Sequence, residues 1–62
     1  MAKFQVIFED EYFGLHINHF DDFASAQEYW DFYADAPTCI AGEMIDLDDD
    51  EVIWDFGKEF YK

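Results

Sequence analysis

The densest group of chemically active side chains is a run of carboxylates in the last third of the chain. Six consecutive positions hold five acids and one leucine, in the order Asp46, Leu47, Asp48, Asp49, Asp50 and Glu51. Alternate aspartates at 46, 48 and 50 match the first ligands of a calcium-binding EF-hand loop. Such a loop has glycine at its sixth position and glutamate at its twelfth, whereas this chain has Glu51 and Gly57 there. We therefore expect no specific calcium site, and only weak cation binding, from this run.

Histidine and cysteine, the other common metal ligands, are scattered along the chain. His16 and His19 are three positions apart, so on a strand they point to opposite faces and cannot share a metal ion. Cys39 has no second cysteine, so it forms no internal disulfide and fits a reducing cytoplasm. Catalysis by paired carboxylates needs a cleft that separates their pKa values, and a chain this small has little room for one. We predict no metal, no cofactor and no catalytic residue, so the protein is not expected to be an enzyme.

Four strands and one helix are predicted to position these side chains. Strands are predicted at 3–8, 12–19, 38–47 and 51–56, the first two from a clear period of two residues. Glu9, Asp10 and Glu11 form an acidic turn between the first two strands, and the carboxylate run forms the turn between the last two. Positions 58–62 are either the end of the last strand or a short helical tail. The order β-β-α-β-β predicts an α+β fold, a four-stranded antiparallel sheet with one helix packed on one face.

The helix is predicted from an aromatic stripe at helical spacing. The stripe consists of Ala26, Tyr29, Trp30 and Tyr33, extended backward by Phe23. We predict that the stripe belongs to the core and that Phe32, which lies off it, is partly exposed. Ser25 with Glu28 forms a capping-box pattern, Asp21 and Asp22 are rival caps, and Pro37 ends the helix.

The register of the second hairpin decides which of its residues share a face. We expect a three-residue loop, 48–50, which sets Glu43 opposite Asp55 at a cost of some tenths of a kcal/mol in charge repulsion. The other pairs are then Leu47 with Glu51, Met44 with Trp54 and Gly42 with Phe56. The same register sets Ile45 opposite Ile53 on the face away from the helix. An apolar pair ringed by acids predicts a protein-binding patch.

The charge balance restricts the partners of this single domain, 1–62. Sixteen acids oppose only Lys3, Lys58 and Lys62, which gives a net charge of −13 on 62 residues. Such a chain repels nucleic acid and anionic membranes, so a basic protein that itself binds nucleic acid is the expected partner. A hydrophobic content of 52% excludes an ordinary disordered acidic tail. No apolar run approaches the roughly 20 residues of a membrane span and no signal peptide is evident, so we expect a complete, cytoplasmic protein.

The small size, the acidity and the β-β-α-β-β pattern of the whole chain resemble the small acidic inhibitors that phages encode, anti-CRISPR proteins above all. Several of those families are DNA mimics. The resemblance implies binding to a CRISPR effector complex at its DNA-binding or PAM-reading surface, without catalysis. From charge alone, the predicted partner-binding residues are Glu9, Asp10, Glu11, Glu43, Asp46, Asp48, Asp49, Asp50, Glu51 and Asp55.

Two other functions are compatible with the same sequence. An immunity protein or antitoxin would use the same charge to block a basic nuclease. An acidic housekeeping domain would have no charged target at all. The oligomeric state is left open between a monomer and a weak homodimer.

Overall fold

The computed structural model describes residues 2–57 and Phe60. The elements in chain order are β1 (Phe4–Asp10), β2 (Gly14–Phe20), α1 (Phe23–Tyr33), β3 (Cys39–Asp46) and β4 (Glu51–Phe56). The strands form one antiparallel sheet in the order β2-β1-β3-β4, so the predicted α+β fold is confirmed. The two alternatives for 58–62 fall outside the described residues, apart from Phe60.

The core lies between α1 and one face of the sheet. Strand alternation turns Val6 and Phe8 of β1 and Met44 of β3 toward the helix, where they are buried with Ala26. Trp30 packs over them, with its ring centroid 5.0 Å from that of Phe8. Contacts between aromatic rings add roughly 0.5–1.5 kcal/mol each beyond the area they bury, which supports a core this small.

The predicted aromatic stripe faces this core, although its two ends lie at the rim. Tyr29 and Trp30 pack against the buried cluster, whereas Phe23 and Tyr33 keep 39% and 42% of their surface exposed. Phe32 is 74% exposed, which confirms its place off the stripe. Among the rival caps the structure selects Asp22, whose Oδ1 accepts a hydrogen bond from the Ser25 backbone N–H at 2.7 Å.

The predicted register of β3 and β4 is confirmed in the half far from their connecting turn and is wrong near the turn. Gly42 pairs with Phe56, Glu43 with Asp55 and Met44 with Trp54, as expected. Ile45, however, pairs with Val52, and Asp46 pairs with Glu51. The loop is one residue longer than predicted, 47–50, and the extra residue on β4 is Ile53, which forms a bulge.

The predicted apolar patch at Ile45 and Ile53 is therefore wrong. Ile53 packs against the core cluster on the helix side, and Ile45 is only 1% exposed. Ile7 and Glu43 are buried too, although they point away from the helix. The sheet is thus buried on both faces along β1 and β3.

At the end of β4, Gly57 has a φ of 84°, and a Cβ there would lie 2.4 Å from the carbonyl oxygen of Ile40.

Candidate functional site

Asp46 and Asp50 build the turn between β3 and β4. The Oδ1 atom of Asp46 accepts hydrogen bonds from the backbone N–H groups of Asp48 at 3.0 Å and Asp49 at 3.2 Å. Asp50 has a left-handed backbone conformation with a φ of 57°, which aspartate tolerates better than most residues. Turn geometry therefore explains why acids occupy positions 46 and 50.

The turn between β1 and β2 repeats this arrangement. Oδ1 of Asp10 accepts hydrogen bonds from the N–H groups of Tyr12 at 2.8 Å and Phe13 at 3.1 Å, and Gly14 takes the left-handed position with a φ of 83°. In addition, Thr38 Oγ1 donates to Asp10 Oδ2 at 2.6 Å. The bond from Thr38 and then the bond from Tyr12 hold the pKa of Asp10 below its ordinary value. Asp10 is therefore a structural residue of its turn.

Three acids of the second turn have no counterpart in the first. When Asp46 is matched to Asp10, the positions of Asp48, Asp49 and Glu51 correspond to Tyr12, Phe13 and Leu15. A turn with the same aspartate hydrogen bonds and the same left-handed position thus forms with uncharged residues at all three places, although its loop, 11–13, is one residue shorter than 47–50. The carboxylates of Asp48, Asp49 and Glu51 are exposed and are not required by the turn.

Strand pairing brings a second pair of acids to the same end of the sheet. Phe4 pairs with Phe20 on one side and with Asp46 on the other, so Asp21 and Asp22, which follow β2, lie at the end that carries the β3–β4 turn. We call this end the acidic end and define it by its exposed acids, Asp21, Asp22, Asp48, Asp49, Asp50 and Glu51. Sequence reasoning treated Asp21 and Asp22 only as helix caps, because nothing local reveals that β1 pairs with β3.

Lys3 lies within the acidic end. Its backbone N–H donates to the Phe20 carbonyl at 2.9 Å, and its carbonyl accepts from the Leu47 N–H at 2.8 Å. Lys3 is the only lysine or arginine in 2–57, and its side chain is exposed. Six acids therefore face one described base, so the acidic end has a strongly negative potential.

The acidic end consists of two groups separated across the sheet. Asp21 and Asp22 follow β2, and the β3–β4 turn lies two to three strands away in the order β2-β1-β3-β4. With about 4.8 Å between neighbouring strands, the groups are about 10–14 Å apart. This separation is close to the width of the DNA major groove, about 12 Å, across which phosphates face each other.

The other predicted acids do not join this site. Glu9, Asp10 and Glu11 lie at the far end of the sheet, because β1 runs away from the acidic end. Six residue steps at about 3.3 Å place that turn about 20 Å away. Only Glu11 of the three is well exposed. Asp55 is exposed on β4, outside the turn.

Glu43 requires a correction. Its side chain is completely buried, so it does not lie on a surface that a partner can reach. It pairs with Asp55 as predicted. Its side chain lies on the face of the sheet away from the helix, and that face is buried at this position. Exposure could not be predicted from the alternating pattern, because the pattern shows which face a residue is on and not what covers that face.

An aromatic cavity of about 550 Å³ lies between β2 and the C-terminal half of α1. It is lined by Phe8, Asp10, Phe13, His16, Tyr29, Tyr33, Ala36 and Cys39. Burial raises the pKa of the Cys39 thiol, so it is protonated at neutral pH, and its Sγ donates to the Ala41 carbonyl at 3.6 Å. The Tyr29 hydroxyl accepts a hydrogen bond from Asn18 Nδ2 at 2.7 Å, and burial raises its pKa as well. Neither Cys39 nor Tyr29 is therefore a ready nucleophile.

The histidines lie on opposite faces, as predicted. His16 pairs with Phe8, which faces the helix, and His19 pairs with Gln5, whose Oε1 is 2.8 Å from His19 Nε2. Across 2–57 and Phe60, no three histidine, cysteine or acidic side chains converge in a way that could hold a metal ion. Nor does any helix in that part of the chain have the length and apolar character to cross a membrane.

Comparison of the chain with protein-family models, with curated proteins and with solved structures found no match. Its function is therefore inferred from geometry and charge.

Proposed function

We propose that this protein is a non-catalytic inhibitor that mimics the phosphate charge of DNA. Its target is the basic DNA-binding, PAM-reading surface of a CRISPR effector complex, in the cytoplasm of the host cell. The observation that supports this proposal is the set of acids at the acidic end that turn geometry does not require. Asp48, Asp49 and Glu51 project from a hairpin whose twin turn forms without them.

A rigid row of carboxylates can occupy a DNA site because such sites recognise backbone charge and geometry. Lysine and arginine side chains that normally neutralise phosphates can pair with carboxylates instead. The two acidic groups, about 10–14 Å apart, could face basic side chains on both walls of a groove that holds duplex DNA. Asp22 and Asp46 have a second role, since their hydrogen bonds to backbone N–H groups fix the helix start and the turn.

The cost of the acids to the fold supports a role in binding. Asp48, Asp49, Asp50 and Glu51 are consecutive and exposed, so they repel one another when the chain folds. A feature that weakens the fold and is not required by it is a candidate for function. Solubility does not need this many charges, because a net charge of magnitude about 2–8 is enough for a small domain.

The test compares two triple variants with the same change in charge. Asp48→Asn, Asp49→Asn and Glu51→Gln remove three charges from the acidic end. The control variant removes three exposed charges from the helix and the residues that follow it, through Glu28→Gln, Asp31→Asn and Asp35→Asn. Affinity is measured against a panel of purified, guide-loaded type I and type II effector complexes.

The acidic-end variant should bind the target roughly tenfold or more weakly, since it loses three charge pairs worth up to about 1 kcal/mol each. The helix variant should stay close to the parent. Equal losses in both variants would show that only net charge matters, and binding by neither the parent nor the helix variant to any effector would contradict the proposal. Binding to a basic nuclease instead would identify an immunity protein.

A further inference from the structure

Strand β2 forms an edge of the sheet. Within 2–57 and Phe60 it pairs only with β1, in an unbroken register from Phe4–Phe20 to Asp10–Gly14. One row of its backbone N–H and C=O groups therefore faces away from the sheet. Such a row is a template on which another strand can pair.

The opposite edge, β4, carries the features that prevent such pairing. Glu51 and Asp55 are exposed acids on this strand, and the bulge at Ile53 interrupts its register. Charges and bulges on an edge strand are the usual protection against edge-to-edge association. β2 has no acid, no lysine, no proline and no bulge in the range Gly14–Phe20.

The face of β2 away from the helix carries two exposed apolar side chains beside His19. Leu15 and Ile17 point away from the helix and are 55% and 51% exposed. In the preceding turn, Tyr12 is 74% exposed, whereas Phe13 lies on the helix side, where it lines the cavity. Leu15 and Ile17 form an apolar surface beside the unpaired backbone row, so a strand added here would bury side chains as well as satisfy hydrogen bonds.

The charge distribution indicates what kind of strand can approach. The chain carries sixteen acids, yet positions 12–20 contain none, and this is the longest stretch without an acid. A basic partner would find no carboxylate on this strand and would be attracted to the acidic end instead. A second copy of the chain, repelled almost everywhere else by its own charge of −13, meets the least repulsion here.

We propose that β2 pairs antiparallel with β2 of a second copy, about a two-fold axis at Ile17. The midpoint of Gly14–Phe20 is Ile17, so this register pairs all seven residues and sets Ile17 opposite its own copy and Leu15 opposite His19. The two sheets become one sheet of eight strands. The two β4 strands then lie seven strand spacings, about 34 Å, apart, well beyond the screening length of about 8 Å. This proposal does not depend on the proposed function.

The first test uses two isoleucines of matched exposure. Ile17 is 51% exposed on β2, and Ile40 is 50% exposed on β3. Mass is measured by sedimentation for the parent, Ile17→Lys and Ile40→Lys, from micromolar to near-millimolar concentration in low and high sodium chloride. Near-ultraviolet circular dichroism of the tryptophans establishes that each variant is folded.

The parent should approach twice its mass of 7.4 kDa as concentration rises, and should do so more readily in high salt, which screens the repulsion. Ile17→Lys should stay monomeric, because a buried pair of like charges would face each other, while Ile40→Lys should associate like the parent. A parent that is monomeric at every concentration, or an Ile17→Lys variant that associates equally well, would overturn the proposal.

A second test does not depend on how well Ile17→Lys folds. Directly opposite residues in antiparallel strands have Cα atoms about 4.5–5.5 Å apart, within the range of a disulfide. In a Cys39→Ala background, Ile17→Cys should form a covalent dimer on mild oxidation at low protein concentration. The control, Ile40→Cys in the same background, should cross-link far less. Equal cross-linking at the two positions would contradict the two-fold pairing at Ile17.

Discussion

The two hairpin turns share one backbone design and differ in what they present. In each, an aspartate accepts hydrogen bonds from the N–H groups two and three residues ahead, and the residue four positions ahead is left-handed. The β1–β2 turn shows Tyr12 and Phe13 at its tip, whereas the β3–β4 turn shows Asp48 and Asp49. Because the same design forms with either set of tip residues, the fold does not require acids at the tip of the second turn.

The same contrast extends to the two edges of the sheet. The edge next to the β3–β4 turn is acidic and bulged, and the edge next to the β1–β2 turn is apolar and regular. Charge and apolar surface are thus segregated on a domain of 62 residues. We interpret the acidic end as a surface for a basic partner and the β2 edge as a surface for another copy of the chain.

Removing Trp30, which packs against both hairpins, should have the largest effect on stability. The Trp30 ring lies 5.0 Å from that of Phe8 in the first hairpin and 5.6 Å from that of Trp54 in the second. Trp30→Ala should lower the free energy of unfolding by roughly 3–5 kcal/mol, measured by urea denaturation. Phe32→Ala is the control, since Phe32 is 74% exposed. A folded Trp30→Ala protein of nearly parental stability would mean that the helix does not hold the two hairpins.

Removing the aspartate that accepts the hydrogen bonds in each turn should destabilise the two turns to different extents. Asp46→Ala loses two hydrogen bonds, whereas Asp10→Ala loses three, including the one from Thr38. Both should lower the melting temperature, Asp10→Ala by more. Neutralising Asp46 also relieves repulsion within its acidic turn, which makes its loss smaller still. A larger loss for Asp46→Ala would contradict the role given to the hydrogen bond from Thr38 in the first turn.

The left-handed position of the first turn can be tested by a single substitution. A Cβ at Gly14 would meet nothing within 4 Å, so Gly14→Ala tests the backbone conformation alone and should cost about 1 kcal/mol. The loss is measured by chemical denaturation. An unchanged free energy of unfolding would mean that the left-handed backbone at position 14 carries no such cost.

The hydrogen bonds of Asp10 should also make stability depend on pH. Because they hold its pKa in the folded chain below the ordinary value of 3.8, their contribution is complete above that pH and is lost as the pH falls below it. The melting temperature advantage of the parent over Asp10→Ala should therefore be constant near neutrality and shrink in strong acid. An advantage that persists unchanged in strong acid would contradict a role for the ionised carboxylate.

The sequence was sufficient for the elements because burial imposes a period on the residues. Alternation in β1 and β2 and the stripe around Trp30 follow from having one face on a core. The register near Asp46 was not predictable, because loops of three or four residues both fit a run of acids. The place of Asp21 and Asp22 beside the second turn was missed for another reason. It depends on β1 pairing with β3, a contact between distant residues that no local pattern reports.

Competition with DNA is the measurement that tests the central claim most directly. A guide-loaded effector complex is incubated with labelled target DNA, and DNA release is followed as the parent, the acidic-end triple variant or the helix triple variant is added. The parent and the helix variant should displace the DNA, and the effect should weaken steeply with salt. The Asp48→Asn, Asp49→Asn, Glu51→Gln variant should displace it roughly tenfold less effectively. A stable complex that contains effector, DNA and this protein together would contradict the DNA-mimic mechanism.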